Sequence, residues 1–295
     1  MNPNGFARYL SLVKFSHTIF AMPFALLGFL LAIHAQEYHF SWGSLILVVL
    51  CMVFARNSAM SFNRFIDRYI DARNPRTAPR DIPSGRITPK NALIFSMVNA
   101  LLFIATTYFI NNLVFMLSPL ALALVLGYSY TKRFTALCHF VLGLSLSLAP
   151  IGAYLSVTGG WYPLPFLFSG IVMLWVAGFD ILYALQDEFF DRSESLRSIP
   201  AQLGRKRAIG VALLLHVVVL VLVAYAGFVF NLYLGVRGWL YWIGASLFVL
   251  LMLSQHAALK FPKLVGGKLP FAIVNGLSSI IYCTFTVASM YFPEV

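Results

Sequence analysis

Residues 42–71 read WGSLILVVLCMVFARNSAMSFNRFIDRYID. From Trp42 to Phe62 the stretch is mostly apolar and long enough for a helix to enter ~30 Å of hydrocarbon. Asn63, Asp67 and Asp71 then follow at four-residue spacing. At ~100° per helical residue they share one ~80° face. The next stretch, ARNPRTAPRDIPSGRITPKN at 72–91, breaks into a loop. It holds Pro75, Pro79, Pro83 and Pro89, interleaved with Arg73, Arg76, Arg80 and Arg86. Carboxylates at the mouth of a membrane helix, followed by a stiff basic loop, point to a cation and a phosphorylated ligand.

Composition sets the class. Of 295 residues, 60% are hydrophobic and only 11% charged, against ~25% charged in a soluble domain; the mean hydropathy is +0.82. An all-α polytopic membrane protein follows. Apolar runs occur near 15–34, 43–66, 91–110, 113–131, 137–157, 165–187, 208–230, 238–259 and 271–292, which predicts nine transmembrane helices in one bundle and one domain over 1–295. The run at 15–34 exceeds a usual signal-peptide core, so it counts as the first span. Connections 35–42, 111–112 and 158–164 carry no Lys or Arg, whereas 67–90, 132–136, 188–207 and 260–270 carry most of them. This positive-inside pattern predicts a cytoplasmic N-terminus in a cell's inner membrane. It also assigns the net charge of +11 to topology rather than to nucleic acid. Cys51, Cys138 and Cys283 lie far apart in apolar runs and give no zinc or disulfide pattern. No feature calls for an obligatory protein partner.

A second acidic segment, GFDILYALQDEFFD, ends the sixth run. On a continuous helix Asp180, Tyr183, Asp187 and Asp191 form one narrow polar stripe. Ionisable groups at membrane depth cost at least ~2.5 kcal/mol unless paired or hydrated, which makes them functional candidates. The spacing of Asp67 and Asp71 repeats in Asp187 and Asp191, and the phrase DIPSGR at 81–86 is echoed by SIPAQLGR at 198–205. Two facing acidic mouths on one side of the bundle are expected. Carboxylate oxygens suit Mg²⁺, which binds through one or two carboxylates plus substrate phosphates. Clustered Arg and Lys neutralise the remaining phosphate charge.

These motifs resemble those of the UbiA superfamily of intramembrane prenyltransferases, in particular its 4-hydroxybenzoate polyprenyltransferase branch. Asn63, Asp67 and Asp71, followed by Arg76, Thr77, Ala78, Arg80, Pro83 and Gly85, match the family's first motif and basic loop. Asp180, Tyr183, Asp187 and Asp191 match the second, and Tyr128, Lys132 and Arg133 match a phrase between them. Arg197-Ser198 stands where the family has Lys-Ser, and Arg64 where it usually has Asp. The Asn-Arg form with Asn-Pro-Arg-Thr-Ala at 74–78 is similar to a subgroup of the futalosine route to menaquinone, whose acceptor is a dihydroxynaphthoate.

The resemblance implies an enzyme that moves a polyprenyl group from its diphosphate to a ring carbon of 4-hydroxybenzoate or 1,4-dihydroxy-6-naphthoate. It implies Mg²⁺ held by Asn63, Asp67 and Asp71 on one side and by Asp187 and Asp191 on the other. Tyr128, Lys132, Arg133, Arg76, Arg80, Arg197, Ser198, Asp180 and Tyr183 would contact substrate, with the four aspartates, Lys132 and Tyr183 carrying the chemistry. Lys14 and His17, near the start of the first span, are placed to address the acceptor's carboxylate. His139 and Asn275 fit either a site or internal hydrogen bonding between helices. Two rivals differ in class. A CDP-alcohol phosphatidyltransferase needs an Asp-Gly-x-x-Ala-Arg phrase that is missing here. A cation transporter would carry its carboxylates near the bilayer midplane, not beside basic loops.

Overall fold

The structure, a computed structural model, describes residues 5–13, 21–234, 238–260 and 271–292. The described residues are helices and short connections: α1 (Gly5–Leu12), α2 (Met22–Ala35), α3 (Trp42–Ile66), α4 (Arg68–Arg73), α5 (Pro89–Tyr108), α6 (Asn112–Thr131), α7 (Cys138–Thr158), α8 (Leu164–Ala184), α9 (Glu188–Ser193), α10 (Ile199–Leu234), α11 (Trp239–Lys260) and α12 (Phe271–Tyr291). Eight of them (α3, α5, α6, α7, α8, α10, α11 and α12) are long and apolar enough to cross a membrane.

The expected ninth span is shorter than its apolar run. α2 has 14 residues, or ~21 Å of rise, and positions 15–20 of that run lie outside the described residues. Two boundaries also move. The sixth run stops being helical at Ala184, three residues before Asp187. The seventh is preceded by a short helical segment that starts at Ile199, and the two parts of α10 are separated by a kink at Gly204, whose φ 74° and ψ 162° are open mainly to glycine. Helix starts follow local chemistry. Ser41, Thr88 and Asn111 accept backbone N–H groups at the first turns of α3, α5 and α6. Pro89 fits the first turn of α5, where its missing N–H costs nothing.

The bundle has two unlike parts. α2, α7, α8, α10, α11 and α12 pack in a closed ring. Its interior is filled by Phe24, Trp175, Phe248 and Tyr282, with Phe248 and Tyr282 stacked at 4.9 Å. Gly28 lets α2 touch α7, for a Cβ there would lie 2.2 Å from the Pro150 carbonyl oxygen. Small residues permitting such close approach are how helices associate in lipid, where no hydrophobic force drives them together. The other part, α3, α5 and α6 against α7, is joined by hydrogen bonds from Asn57 to Asn99 (3.2 Å) and between Ser58 and Ser96 (3.3 Å). It leaves an apolar cavity of about 650 Å³ among those four helices. All three cysteines are free thiols, Cys283 buried and the other two half-buried.

Candidate functional site

Each acidic motif sits on a helix break. α3 ends at Ile66, Asp67 takes φ −86° and ψ 1°, and α4 starts at the next residue. α8 ends at Ala184, and Asp187 (φ −107°, ψ 5°) leads into α9. Backbone bonds from Asp71 N–H to Asp67 O and from Asp191 N–H to Asp187 O, both 2.7 Å, keep each pair of aspartates in register. Asp180 and Tyr183 therefore lie on a membrane helix, while Asp187 and Asp191 lie beyond its end. The single straight stripe expected from spacing is broken in two, because the chain turns away at the hydrocarbon boundary.

In the first cluster Asp67, 3% exposed, accepts from Lys132 Nζ at 2.7 Å, Arg133 Nη2 at 2.9 Å and Asn63 Nδ2 at 3.3 Å. Asp71, equally buried, accepts from Arg80 Nη1 at 2.6 Å, and Arg64 Nη1 stands 4.0 Å from its other oxygen. Arg64 thus adds positive charge beside Asp71. In the second cluster Asp187 accepts from Asn74 Nδ2 (3.0 Å) and from Arg76 through Nε (2.8 Å) and Nη2. Arg76 Nη1 also donates to the Tyr183 hydroxyl at 2.9 Å. Burial by itself raises the Asp187 carboxyl, but the hydrogen bonds from Arg76 and Asn74 outweigh it and hold the group below the usual carboxylate range. Asp191 is pushed up, by burial first and then by the charge of Asp187, against the opposing hydrogen bond from Ser198 Oγ (2.8 Å).

The two clusters are one. Asn74 and Arg76 come from the loop after the first motif, yet they bind the second. Lys132, bonded to Asp67, also acts electrostatically on Asp191, and its carbonyl accepts the Arg197 N–H at 2.7 Å. The basic loop is itself pinned. Asn74 Oδ1 accepts the Arg76 N–H (2.9 Å), Thr77 Oγ1 donates to Asp71 O (3.0 Å), and Asp81 accepts from Arg86 Nε (2.9 Å) and from Ser11 Oγ on α1 (3.1 Å). Arg86 is thereby committed to its own loop. Arg197 is used likewise, its Nη1 donating to Phe134 O at 3.1 Å. Arg73 joins α4 to α9 through Glu194 at 2.6 Å. Lys14 and His17 lie outside the described residues.

Deeper in the bundle, His139 Nδ1 lies 2.7 Å from Asp180 Oδ2. Tyr128, one helical turn before Lys132 on α6, lines the apolar cavity with Arg56. Sequence spacing alone did not single out Arg56 or Asn74. Arg56 precedes Asn63 by seven residues, two helical turns on the same face, and that was the available signal. Its Nε is buried without a hydrogen-bond partner. Met52, Leu117, Leu148, Trp161 and Phe166 also line the cavity.

The donor set fits a hard divalent cation. Asn63, Asp67, Asp71, Asp187 and Asp191 offer oxygen only, and Asp71 Oδ2 is, among the described residues, the buried carboxylate oxygen without a hydrogen-bond donor. No three His, Cys, Asp or Glu side chains converge among the described residues. Mg²⁺ binds through one or two carboxylates and completes its shell with phosphate and water.

Residues 21–274 match the UbiA prenyltransferase family. The 4-hydroxybenzoate octaprenyltransferase of Aliivibrio salmonicida (strain LFI1238) is 35% identical over 184 residues, 62% of this chain and 64% of that protein. The chain thus spans a little under two thirds of that relative's length. The enzyme of the same name from Nitrosomonas europaea is 32% identical over 218 residues, 73% of this chain and 72% of the relative. Among solved structures, the apo form of a UbiA homolog from Aeropyrum pernix K1 superposes with a TM-score of 0.80 at 31% identity, covering 93% of this chain and 98% of that one. A UbiA homolog from Archaeoglobus fulgidus bound to GPP and Mg²⁺ shares the fold, with a TM-score of 0.68 at 19% identity over 96% and 99% of the two chains.

Proposed function

This chain belongs to the UbiA prenyltransferase family, and on that footing we propose that it transfers a polyprenyl group from polyprenyl diphosphate to a ring carbon of an aromatic hydroxy acid, releasing diphosphate. The observation that carries this reading is a continuity. The polar cluster of four aspartates with Arg76, Arg80, Lys132 and Arg133 takes Lys132 from the end of α6, and one helical turn back on the same helix Tyr128 lines the apolar cavity, as does Arg56 on α3. A diphosphate headgroup suits the first part and an isoprenoid chain the second.

Asn63, Asp67 and Asp71 would hold one Mg²⁺, and Asp187 with Asp191 the other. When bound, the metal neutralises negative charge on the diphosphate and favours its departure. The chain's own residues do the rest. Lys132, Arg76 and Arg80 each rest on an aspartate, so exchanging that aspartate toward metal would free them to donate to phosphate oxygens. Tyr183, held by Arg76, stands beside the same headgroup. Such preorganised donors at a leaving group are the largest usual source of acceleration. The apolar cavity excludes water from the allylic cation that forms as the C–O bond breaks. Arg56, whose buried Nε has no hydrogen-bond partner, would receive the acceptor's carboxylate and present its ring to that carbon. Candidate acceptors are 4-hydroxybenzoate and, from the Asn-Arg form of the first motif, 1,4-dihydroxy-6-naphthoate. The protein would work as one unit in the inner membrane, its site facing the cytoplasm.

The test incubates purified protein in detergent or liposomes with Mg²⁺, a mixed-length prenyl diphosphate pool and each acceptor, with products read by mass. A prenylated ring acid is expected. Consumption of donor without any prenylated acid would overturn the proposal.

A further inference from the structure

The long part of α10 begins, just after the kink at Gly204, with three cations in a row: Arg205, Lys206 and Arg207. All three are exposed, and their side chains make no ion pair or hydrogen bond among the described residues. The cations around them are already engaged. Arg192 bonds Glu188 and the Ala201 carbonyl, both at 3.3 Å, Arg197 bonds the Phe134 carbonyl at 3.1 Å, and Arg73 bonds Glu194 at 2.6 Å. Adjacent like charges repel, and cations in a helix's first turn also oppose its dipole. An anion from outside the chain would relieve both costs. What lies beyond the cations on the same face says which anion. Lys206, Leu213, Val217, Val221 and Phe228 fall within one ~80° arc of the helix, and all five are exposed. Ala208, Ala212, Val219 and Val223, on the opposite side, are buried. The rise from Lys206 to Phe228 is ~33 Å, close to the ~30 Å of hydrocarbon in a bilayer. The arc is thus the lipid-facing side of a spanning helix, and the three cations stand at its headgroup end.

We infer that Arg205, Lys206 and Arg207 form a docking surface for one anionic phospholipid, its phosphodiester on the cations and an acyl chain along Leu213, Val217 and Val221. Charge selects the headgroup. Each unpaired cation favours a lipid of net negative charge, such as phosphatidylglycerol, over zwitterionic phosphatidylcholine by about fivefold. The apolar arc selects a lipid over a soluble anion, since free phosphate can use the cations but not the arc. The headgroup would border the segment from Ile199 to Leu203, whose Ala201 carbonyl holds Arg192 of α9. Just before that segment, Ser198 donates to Asp191. The lipid therefore sits against the elbow that carries the second acidic motif, without using any residue assigned to the diphosphate. Lipid docking here does not depend on prenyl transfer.

The test titrates the purified full chain in detergent with phosphatidylglycerol or phosphatidylcholine of matched acyl chains and counts bound lipid by native mass spectrometry. Wild-type protein should bind its first phosphatidylglycerol about 10²-fold more tightly than phosphatidylcholine, the product of three cations. Lys206→Gln should weaken phosphatidylglycerol about fivefold, and Lys206→Gln with Arg207→Gln about 20-fold, with phosphatidylcholine unchanged. Both side chains are exposed, so the variants should melt with wild type. Lys90→Gln removes another exposed, unpaired cation, at the start of α5, and should change neither lipid. Equal affinity of wild type for the two lipids overturns the inference. So does a Lys90→Gln loss as large as that of Lys206→Gln, which would mean diffuse attraction to basic surface. Displacement of phosphatidylglycerol by inorganic phosphate, beyond that by chloride of the same ionic strength, would make this a free-phosphate site and overturn it too.

Discussion

Arg76 and Asp187, 111 residues apart, are joined as a fork: Nε donates to Oδ1 at 2.8 Å and Nη2 to Oδ2. One residue follows the first acidic motif and the other belongs to the second, so this pair fastens the two into one site. A planar guanidinium can hold both carboxylate oxygens and still reach Tyr183, which an ammonium cannot do. Arg76→Lys should therefore lower kcat/KM for the prenyl diphosphate by about 10²-fold, the cost of one preorganised donor. Steady-state kinetics at saturating acceptor will decide; near-normal values would detach the fork from catalysis.

The same pair makes stability depend on acid. Asp187 is held below its ordinary value, so its contribution is complete above the unfolded carboxylate pKa of about 4. It disappears as pH falls through the depressed folded value. Melting curves in detergent should show Arg76→Ala less stable than wild type near neutral pH. The gap should close on acidification below about pH 4. A gap that stays constant into acid would exclude the ion pair as its source.

Asp67 faces two cations, Lys132 and Arg133, while itself 3% exposed. Asp67→Asn leaves both without their anion. Since the cationic side chains are about 30% exposed, water softens the loss to about 1–3 kcal/mol, short of the cost of breaking a fully buried pair. Turnover should fall much further, by at least about 10²-fold, because the same carboxylate is assigned to metal. A folded Asp67→Asn variant with wild-type activity in Mg²⁺ would end that assignment.

Arg56 should show the reverse balance. Arg56 is half-buried, and its buried Nε without a partner costs stability, so Arg56→Leu is expected to melt no lower than wild type and even higher. Its KM for the aromatic acid should rise about 10–100-fold, the worth of a charge-assisted hydrogen bond. KM for the prenyl diphosphate should change little. Equal effects on both substrates would place Arg56 at the diphosphate instead.

Chelation provides the broadest check. EDTA should stop turnover and Mg²⁺ should restore it, since the oxygen-only donor set offers nothing a softer ion would prefer. Turnover indifferent to chelator would remove metal from the mechanism.

Much of this was legible in the linear chain. Apolar runs of ~20 residues between charged connections have few alternatives to membrane helices, because backbone polar groups in lipid must be satisfied within the segment. The recurrence of Asp67 and Asp71 as Asp187 and Asp191 marked both motifs, and their charged surroundings marked one end of the bundle. Long-range pairing could not be read in this way. Asn74, Arg76 and Arg86 look alike as loop residues, yet two of them bind Asp187 while Arg86 closes on Asp81.

Sequence by itself determined which apolar stretches form helices, though not where each one ends, which residues are ionisable near those ends, and what chemistry those residue types can perform. Tertiary structure alone decided that both acidic motifs turn on a helix break, that Arg76 and Lys132 tie them together, and that His139 is devoted to Asp180. Local periodicity reports only a residue's neighbours within a turn or two. A carboxylate's partner across the bundle depends on how helices distant in sequence pack.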